Sequence, residues 1–149
     1  METEQDRLNK DLWLFHIAFR QLVKVPDAIL RGRGLGRVHD RILFVIGRSG
    51  EISVGDIAER LEITRQAIHG PMKQLRDLEM IASRASEANR TVQLVRLTEA
   101  GKQFDDEIHE VQRRHMRQAF ETTGRPGAEG WREVMLKVGL TPPPGEPPV

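Results

Sequence analysis

The chain has 149 residues, 38% hydrophobic and 30% charged, with 23 Lys and Arg against 22 Asp and Glu (net charge +1) and no cysteine. That size suits one domain with a modest core, and the missing cysteines exclude disulfides, thiolate nucleophiles, Cys-ligated zinc and thiol redox sensing. No apolar run approaches the roughly 20 residues that span a bilayer, and the polar first 11 residues lack a signal-peptide pattern, so no membrane partner and a cytosolic address are expected. The first helix is predicted to start near Asn9, a good N-cap. Leu12, Phe15, Phe19 and Leu22 recur there at helical spacing, with Leu8 and Val23 extending the stripe. Trp13, Leu14, Ile17 and Ala18 make other faces apolar as well, so this helix needs partners on two sides. Pro26 is expected to end it or to bend the chain nearby. The glycines between Arg31 and Gly36 read as a connector, because no strand precedes them and no Gly-Lys-Ser/Thr follows.

A second helix is predicted over 38–48, with Val38, Ile42, Val45 and Ile46 inward. Ser53 caps a third helix, with Ile57, Ala58 and Leu61 on its buried side. Glu62 and Ile63 form a turn, and Thr64 caps a fourth helix whose buried stripe is Ile68, Met72 and Leu75. Gly70-Pro71 sits inside that helix. Proline there removes one hydrogen bond and crowds the carbonyl of Ala67, so a bend or an opening of the turn at Ala67 is expected, the alternative being a break into two helices. Two extended segments, 81–84 and 91–97, flank a polar tip at 86–90. A long helix follows from Thr98 to about Thr122, with Phe104, Ile108, Val111, His115 and Ala119 on one face. Gly124 to Gly127 is a break. A short last helix carries Trp131, Val134, Met135 and Val138. Residues 141–149 hold five of the eight prolines and are expected to be disordered.

The order helix, turn, helix, hairpin is a helix-turn-helix with a wing, and duplex DNA gives it a use. Charge supports this. Residues 60–96 carry seven basic and four acidic groups, and residues 98–121 carry six acidic and four basic. A middle more positive than its flank favours one face approaching a polyanion. Thr64, Arg65 and Gln66 open the fourth helix, where unpaired N–H groups favour phosphate. Arg65 can pair with guanine and Gln66 with adenine. Lys73 and Arg76 suit phosphates or remain solvated, and His69 suits a base, a phosphate or water. At the wing tip Arg90, beside Asn89, can enter a narrow minor groove, or it pairs with Glu87 inside the hairpin.

These residues resemble the MarR family of bacterial winged-helix transcription regulators. The resemblance rests on Val38-His-Asp-Arg-Ile-Leu-Phe44, Ile52-Ser-Val-Gly-Asp-Ile-Ala-Glu-Arg-Leu61, Ile63-Thr-Arg-Gln-Ala-Ile68, Leu75-Arg-Asp-Leu78 and Leu94-Val-Arg-Leu-Thr-Glu-Ala-Gly101. It implies a mainly α fold with a small β-hairpin: a winged helix-turn-helix domain (36–97) plus N- and C-terminal dimerisation helices (1–30 and 98–140), with a proline-rich tail at 141–149. It also implies a homodimer, joined through residues 8–25 and 131–138, that binds a pseudo-palindromic operator as a repressor. Three positions depart from the family pattern. Asn89 and Thr91 stand where Asp and Arg are usual in the wing, Glu79 stands where a glycine often follows the recognition helix, and Pro71 interrupts that helix.

Many family members bind a small aromatic or anionic ligand between the dimer helices and the DNA-binding lobe. Trp13, His16, Arg20 and His39 are the candidates here, against a reading in which all four are packing or surface residues. No metal site is expected. His109 and His115 lie about 120° apart on a helix, and no His-x₃-His or His-Glu-x-x-His occurs. No cofactor and no enzymatic activity are expected, since Ser53 and Thr64 are better explained as caps than as nucleophiles. A winged-helix protein-interaction module without operator binding is the alternative function.

Overall fold

The computed structural model describes residues 1–140; the segment expected to be a disordered tail, 141–149, lies outside the described residues. The elements are α1 (Glu4–Gly32), α2 (Arg37–Ser49), β1 (Glu51–Ser53), α3 (Val54–Arg60), α4 (Arg65–Asp77), β2 (Ile81–Ala85), β3 (Gln93–Leu97) and α5 (Glu99–Leu140). This is a mainly helical fold with a small antiparallel sheet, carrying the expected winged helix-turn-helix. No described helix is long and apolar enough to cross a membrane. The chain divides into two compact units, Met1–Gln112 and a second beginning at Arg113.

In the first unit α1 departs from expectation at both ends. It starts at Glu4 rather than near Asn9, because Thr3 and Asp6 form a reciprocal capping box. It also runs through Pro26 to Gly32. Proline leaves the carbonyl four residues back without a donor, and here that carbonyl, on Leu22, accepts from Gln112 Nε2 at 3.4 Å. Past the Arg33 cap the chain turns off at Gly34, whose φ of +70° lets the Leu35 N–H reach the Leu30 carbonyl at 2.9 Å.

The core gathers one face from each of the next elements. Leu30, Ile42, Leu43, Ile46 and Ile57 are fully buried, and so are Ile68, Met72, Leu75, Val95 and Ile108. The predicted stripe of the fourth helix is all buried, as are Phe104 and Ile108 of the fifth, whereas His115 and Ala119 are exposed. Strand β1 was not predicted; three residues are too few to display an alternating pattern. It makes the sheet three-stranded in the order β1-β3-β2, with buried Ile52 opposite Val95.

Helices α3 and α4 end alike. At the first end Glu62 has φ 53° and the Ile63 N–H reaches the Ala58 carbonyl. At the second Glu79 has φ 55°, its N–H bonds to the Arg76 carbonyl at 2.8 Å, and the Met80 N–H bonds to Leu75 at 2.9 Å. That is a Schellman ending with a glutamate in the left-handed position. The helix therefore ends as a glycine would end it, at a steric cost. Glu79→Gly should accordingly stabilise the protein by about 0.5–1 kcal/mol, measured by urea denaturation.

Pro71 does not break α4, which is continuous from Arg65 to Asp77. Ala67, whose carbonyl loses its partner, lies on the exposed side, where water can replace the missing N–H. In the second unit Gly124 (φ 72°, ψ −178°) interrupts α5 with a non-helical conformation, so the expected break is a sharp kink. Across it Phe120 meets Trp131 edge to face at 5.5 Å, and Gly127 leaves room for Thr123, which a Cβ would approach to 2.6 Å.

Candidate nucleic-acid interface

The turn from Leu61 to Thr64 lets α3 brace α4, with Leu61 and Ile63 packed against the core. Thr64 Oγ1 accepts from the Ala67 N–H at 3.0 Å and so fixes where α4 begins. Arg65, Gln66, His69, Lys73 and Arg76 are all exposed on it. Their engagements differ. Lys73 Nζ pairs with Asp77 Oδ2 at 2.5 Å, one helical turn on. Arg76 Nε donates to Ser83 Oγ at 3.3 Å, tying α4 to the wing. Arg65 folds back across the start of α3, with a terminal nitrogen 3.4 Å from where a Cβ on Gly55 would lie. Among the described residues the side chains of Arg65, Gln66 and His69 make no hydrogen bond or ion pair.

Between α4, the start of α3 and the wing lies a cleft of about 420 Å³. Gly55, Arg65, His69, Arg76, Thr91 and Gln93 are among its lining residues, and none of the lining residues is acidic. The wing is an antiparallel hairpin registered from Ile81 opposite Leu97 to Ala85 opposite Gln93. Its tip closes through the Ser86 N–H to the Val92 carbonyl at 2.8 Å. Asn89 Oδ1 accepts from both the backbone N–H (3.1 Å) and the hydroxyl (2.6 Å) of Thr91. Asn89 therefore stiffens the tip locally instead of anchoring an arginine. Arg90 is exposed, and no pair with Glu87 forms.

Sequence reasoning missed how the wing is held at its base. The Arg84 guanidinium forks onto both carboxylate oxygens of Glu51, at 3.0 and 2.6 Å, reaching across β3 from one edge strand to the other. The fork lowers the Glu51 carboxyl below its ordinary pKa and raises that of Arg84. With β1 unrecognised, nothing placed Glu51 beside Arg84.

The four ligand-pocket candidates separate. Trp13 stacks on His16 at 5.3 Å, and with Arg20 they lie on the exposed part of α1. Trp13 borders a shallow depression together with Asn9, Lys10 and Leu14. His39 is buried. Its Nδ1 accepts from the Gly36 N–H at 3.0 Å and its Nε2 faces Gln74 Oε1 at 2.6 Å. Both ring nitrogens are thus used to start α2 and join it to α4.

A buried ionic cluster also escaped the sequence. His109 on α5 has Nδ1 2.9 Å from Asp105 Oδ1 and Nε2 3.0 Å from Asp40 Oδ1 on α2. Nδ1 also faces the Asp105 backbone carbonyl oxygen at 2.7 Å, and the two buried carboxylate oxygens have no partner but this imidazole. Arg48 reaches Asp105 Oδ2 at 2.8 Å. Burial alone would lower the imidazole pKa, but hydrogen bonds to Asp105 and Asp40 overcome it and raise the value to about 9. Burial likewise opposes ionisation of Asp105, yet His109 and Arg48 hold it below its ordinary range. The spacing Asp105-x₃-His109 was the available signal.

A helix-turn-helix braced on a three-stranded sheet, with a closed basic wing, defines a winged helix-turn-helix protein. Residues 33–90 match the family model described as MarR family. The HTH-type transcriptional regulator PetP of Rhodobacter capsulatus is 28% identical over 130 residues, covering 87% of this chain and 78% of PetP. Among solved structures, NadR in complex with 4-hydroxyphenylacetate superposes with a TM-score of 0.71 at 17% identity, over 95% of this chain and 99% of NadR. A mutant E. coli MarR complexed with operator DNA superposes with a TM-score of 0.65 at 14% identity, over 95% and 100%. These two structures share the fold. The similarity to the MarR family thus falls on residues 33–90, from the end of α1 through the wing tip.

Proposed function

We propose that this protein is a sequence-specific, non-enzymatic transcription regulator, a repressor that binds a pseudo-palindromic operator as a homodimer and responds to a small aromatic or anionic ligand. The observation that carries the reading is the exposed face made by α4 and the wing tip, where the side chains of Arg65, Gln66, His69 and Arg90 have no hydrogen-bond or ion-pair partner among the described residues. An unneutralised basic face beside a groove-sized helix suits duplex DNA. The operator-bound MarR structure shares this fold and supports the same use. Dimerisation is supported by Leu8, Leu12, Trp13, Leu14 and Phe15 on α1, each more than half exposed, and by Trp131, Val134, Leu136 and Val138 in the second unit. Apolar exposure on that scale marks an interaction surface. Ligand response is supported by the NadR complex and by the face of α1 that carries Trp13, His16 and Arg20. A winged helix used only to bind protein would draw support from Pro71, from Asn89 and Thr91 in the wing and from the net charge of +1; the continuous helix and the closed tip favour DNA instead.

Selection of bound sites from a random duplex pool tests the reading. The expected product is a two-fold symmetric site with half-site centres about 34 Å apart. No enrichment, together with no binding to any duplex at low salt, would overturn it. On the selected site Arg90→Ala should weaken binding severalfold when A·T pairs flank the half-site and far less when G·C pairs do, because the narrow A·T minor groove has the stronger negative potential. Fluorescence anisotropy on the two flanked duplexes reads this directly.

A further inference from the structure

The polar side chains of α4 fall into two rows. At roughly 100° per residue, Arg65, His69 and Arg76 lie within about 40° of one another, while Gln66 and Lys73 project about 80–100° round from Arg65. The first row borders the buried stripe of Ile68, Met72 and Leu75 and opens onto the cleft beside the wing. The second row is the outermost ridge of the helix.

We propose that the cleft is the seat of a single DNA backbone phosphate, that Arg65 is its main ligand, and that base recognition falls to the ridge, led by Gln66. The inference rests on the DNA-binding reading above and divides its labour. Three features support it. The cleft collects two guanidinium groups and an imidazole with no carboxylate among them, which is the composition an anion requires. Arg65 lies back over Gly55, its terminal nitrogen 3.4 Å from where a Cβ there would stand. A guanidinium held there points along the flank of the helix and not from its crest. Arg76, held by Ser83, supplies a second, pre-positioned charge. Between a major groove entered by α4 and a minor groove met by Arg90 there runs one phosphate strand, and the cleft lies between those two contacts. Phosphate contacts set register and carry no sequence information, whereas base-edge contacts carry it.

The test uses the full-length protein, the selected site, a panel of single base-pair variants of it, and duplexes with one neutral methylphosphonate linkage at successive positions. Circular dichroism melts confirm that Arg65→Ala and Gln66→Ala fold like the parent. Arg65→Ala should weaken every duplex by the same factor, preserve their rank order and lower the salt slope by about one. One methylphosphonate position should weaken the parent but leave Arg65→Ala unaffected. Gln66→Ala should leave the slope unchanged and flatten discrimination at one base pair by about 5- to 100-fold. If Arg65→Ala instead reorders the base-pair panel with its slope intact, or shows no coupling to any linkage, the assignment is wrong. If the parent binds no duplex at low salt, the DNA-binding reading itself has failed, and the phosphate seat falls with it.

Discussion

Gly101→Ala should destabilise the protein by more than about 3 kcal/mol, the upper range for overpacking a core. A Cβ at Gly101 would lie 1.9 Å from the carbonyl oxygen of Met80 and 2.9 Å from its carbonyl carbon. The obstacle is backbone and cannot rotate away. Nor can it shift cheaply. The Met80 carbonyl accepts from the Thr98 N–H at 3.0 Å, and the Met80 N–H closes the end of α4 on Leu75. The Thr98 hydroxyl donates to the Glu79 carbonyl at 2.5 Å and accepts from the Gly101 N–H at 3.0 Å. The next residue, Ile81, is already paired with Leu97 in the sheet. Moving Met80 therefore disturbs the end of α4, the root of the wing and the start of α5 together. Gly130→Ala is the control: it is also helical, a Cβ there meets nothing within 4 Å, and helix propensity predicts a gain of up to about 1 kcal/mol. Urea denaturation of the two variants beside the parent decides the matter. A Gly101→Ala protein within about 1 kcal/mol of the parent would mean that α5 does not dock on Met80 as described.

Gly101 closes the stretch from Leu94 that carries the family resemblance, yet its steric reason is invisible without coordinates. That contrast is general in this chain. Long periodic stripes were legible because burial imposes them: Ile68, Met72 and Leu75 lie where their spacing put them. The caps at Ser53 and Thr64 were legible because a side-chain oxygen there has one evident use, and each accepts its predicted class of N–H. Events that depend on a distant partner were not. Pro26 reads as a terminator until Gln112, remote in sequence, takes up the carbonyl it strands. Strand β1 exists because β3 offers it an edge. Among the proposed DNA contacts, the sequence indicated which residues crowd onto α4. It could not show that Lys73 is paired with Asp77, or that Arg65 lies over Gly55.

Raising the pH from about 6 to about 9 should weaken the fold, and His109 should be the main reason. Its pKa is about 9 in the folded protein against 6.5 as the ordinary value. A group whose folded pKa is raised contributes in full below its unfolded pKa, and that contribution is lost as pH climbs through the folded value. The loss therefore falls between about pH 6.5 and 9, and such a shift corresponds to at most about 3 kcal/mol. Asp105 works in the opposite sense: its lowered pKa stabilises the protein above the usual carboxylate range, and this is lost on strong acidification. The charges facing the imidazole are Asp40 and Asp105, with Arg48 on the far oxygen of Asp105 and Phe44 edge-on at 4.9 Å. Neutralising His109 leaves Asp40 Oδ1 and Asp105 Oδ1 buried without a cation between them. Arg48 relieves only one of the two carboxylates. His109→Gln should remove the downward slope in this window, because its amide does not titrate. It should also lower stability near pH 6 by about 3–5 kcal/mol, the usual cost of breaking one side of a buried ion pair. Urea midpoints for parent and variant at about pH 6 and 9 give both quantities. Equal parental stability at the two pH values would show that the imidazole is not held as a cation between α2 and α5, and the lock it makes between those helices would have to be reassigned to packing around Phe44.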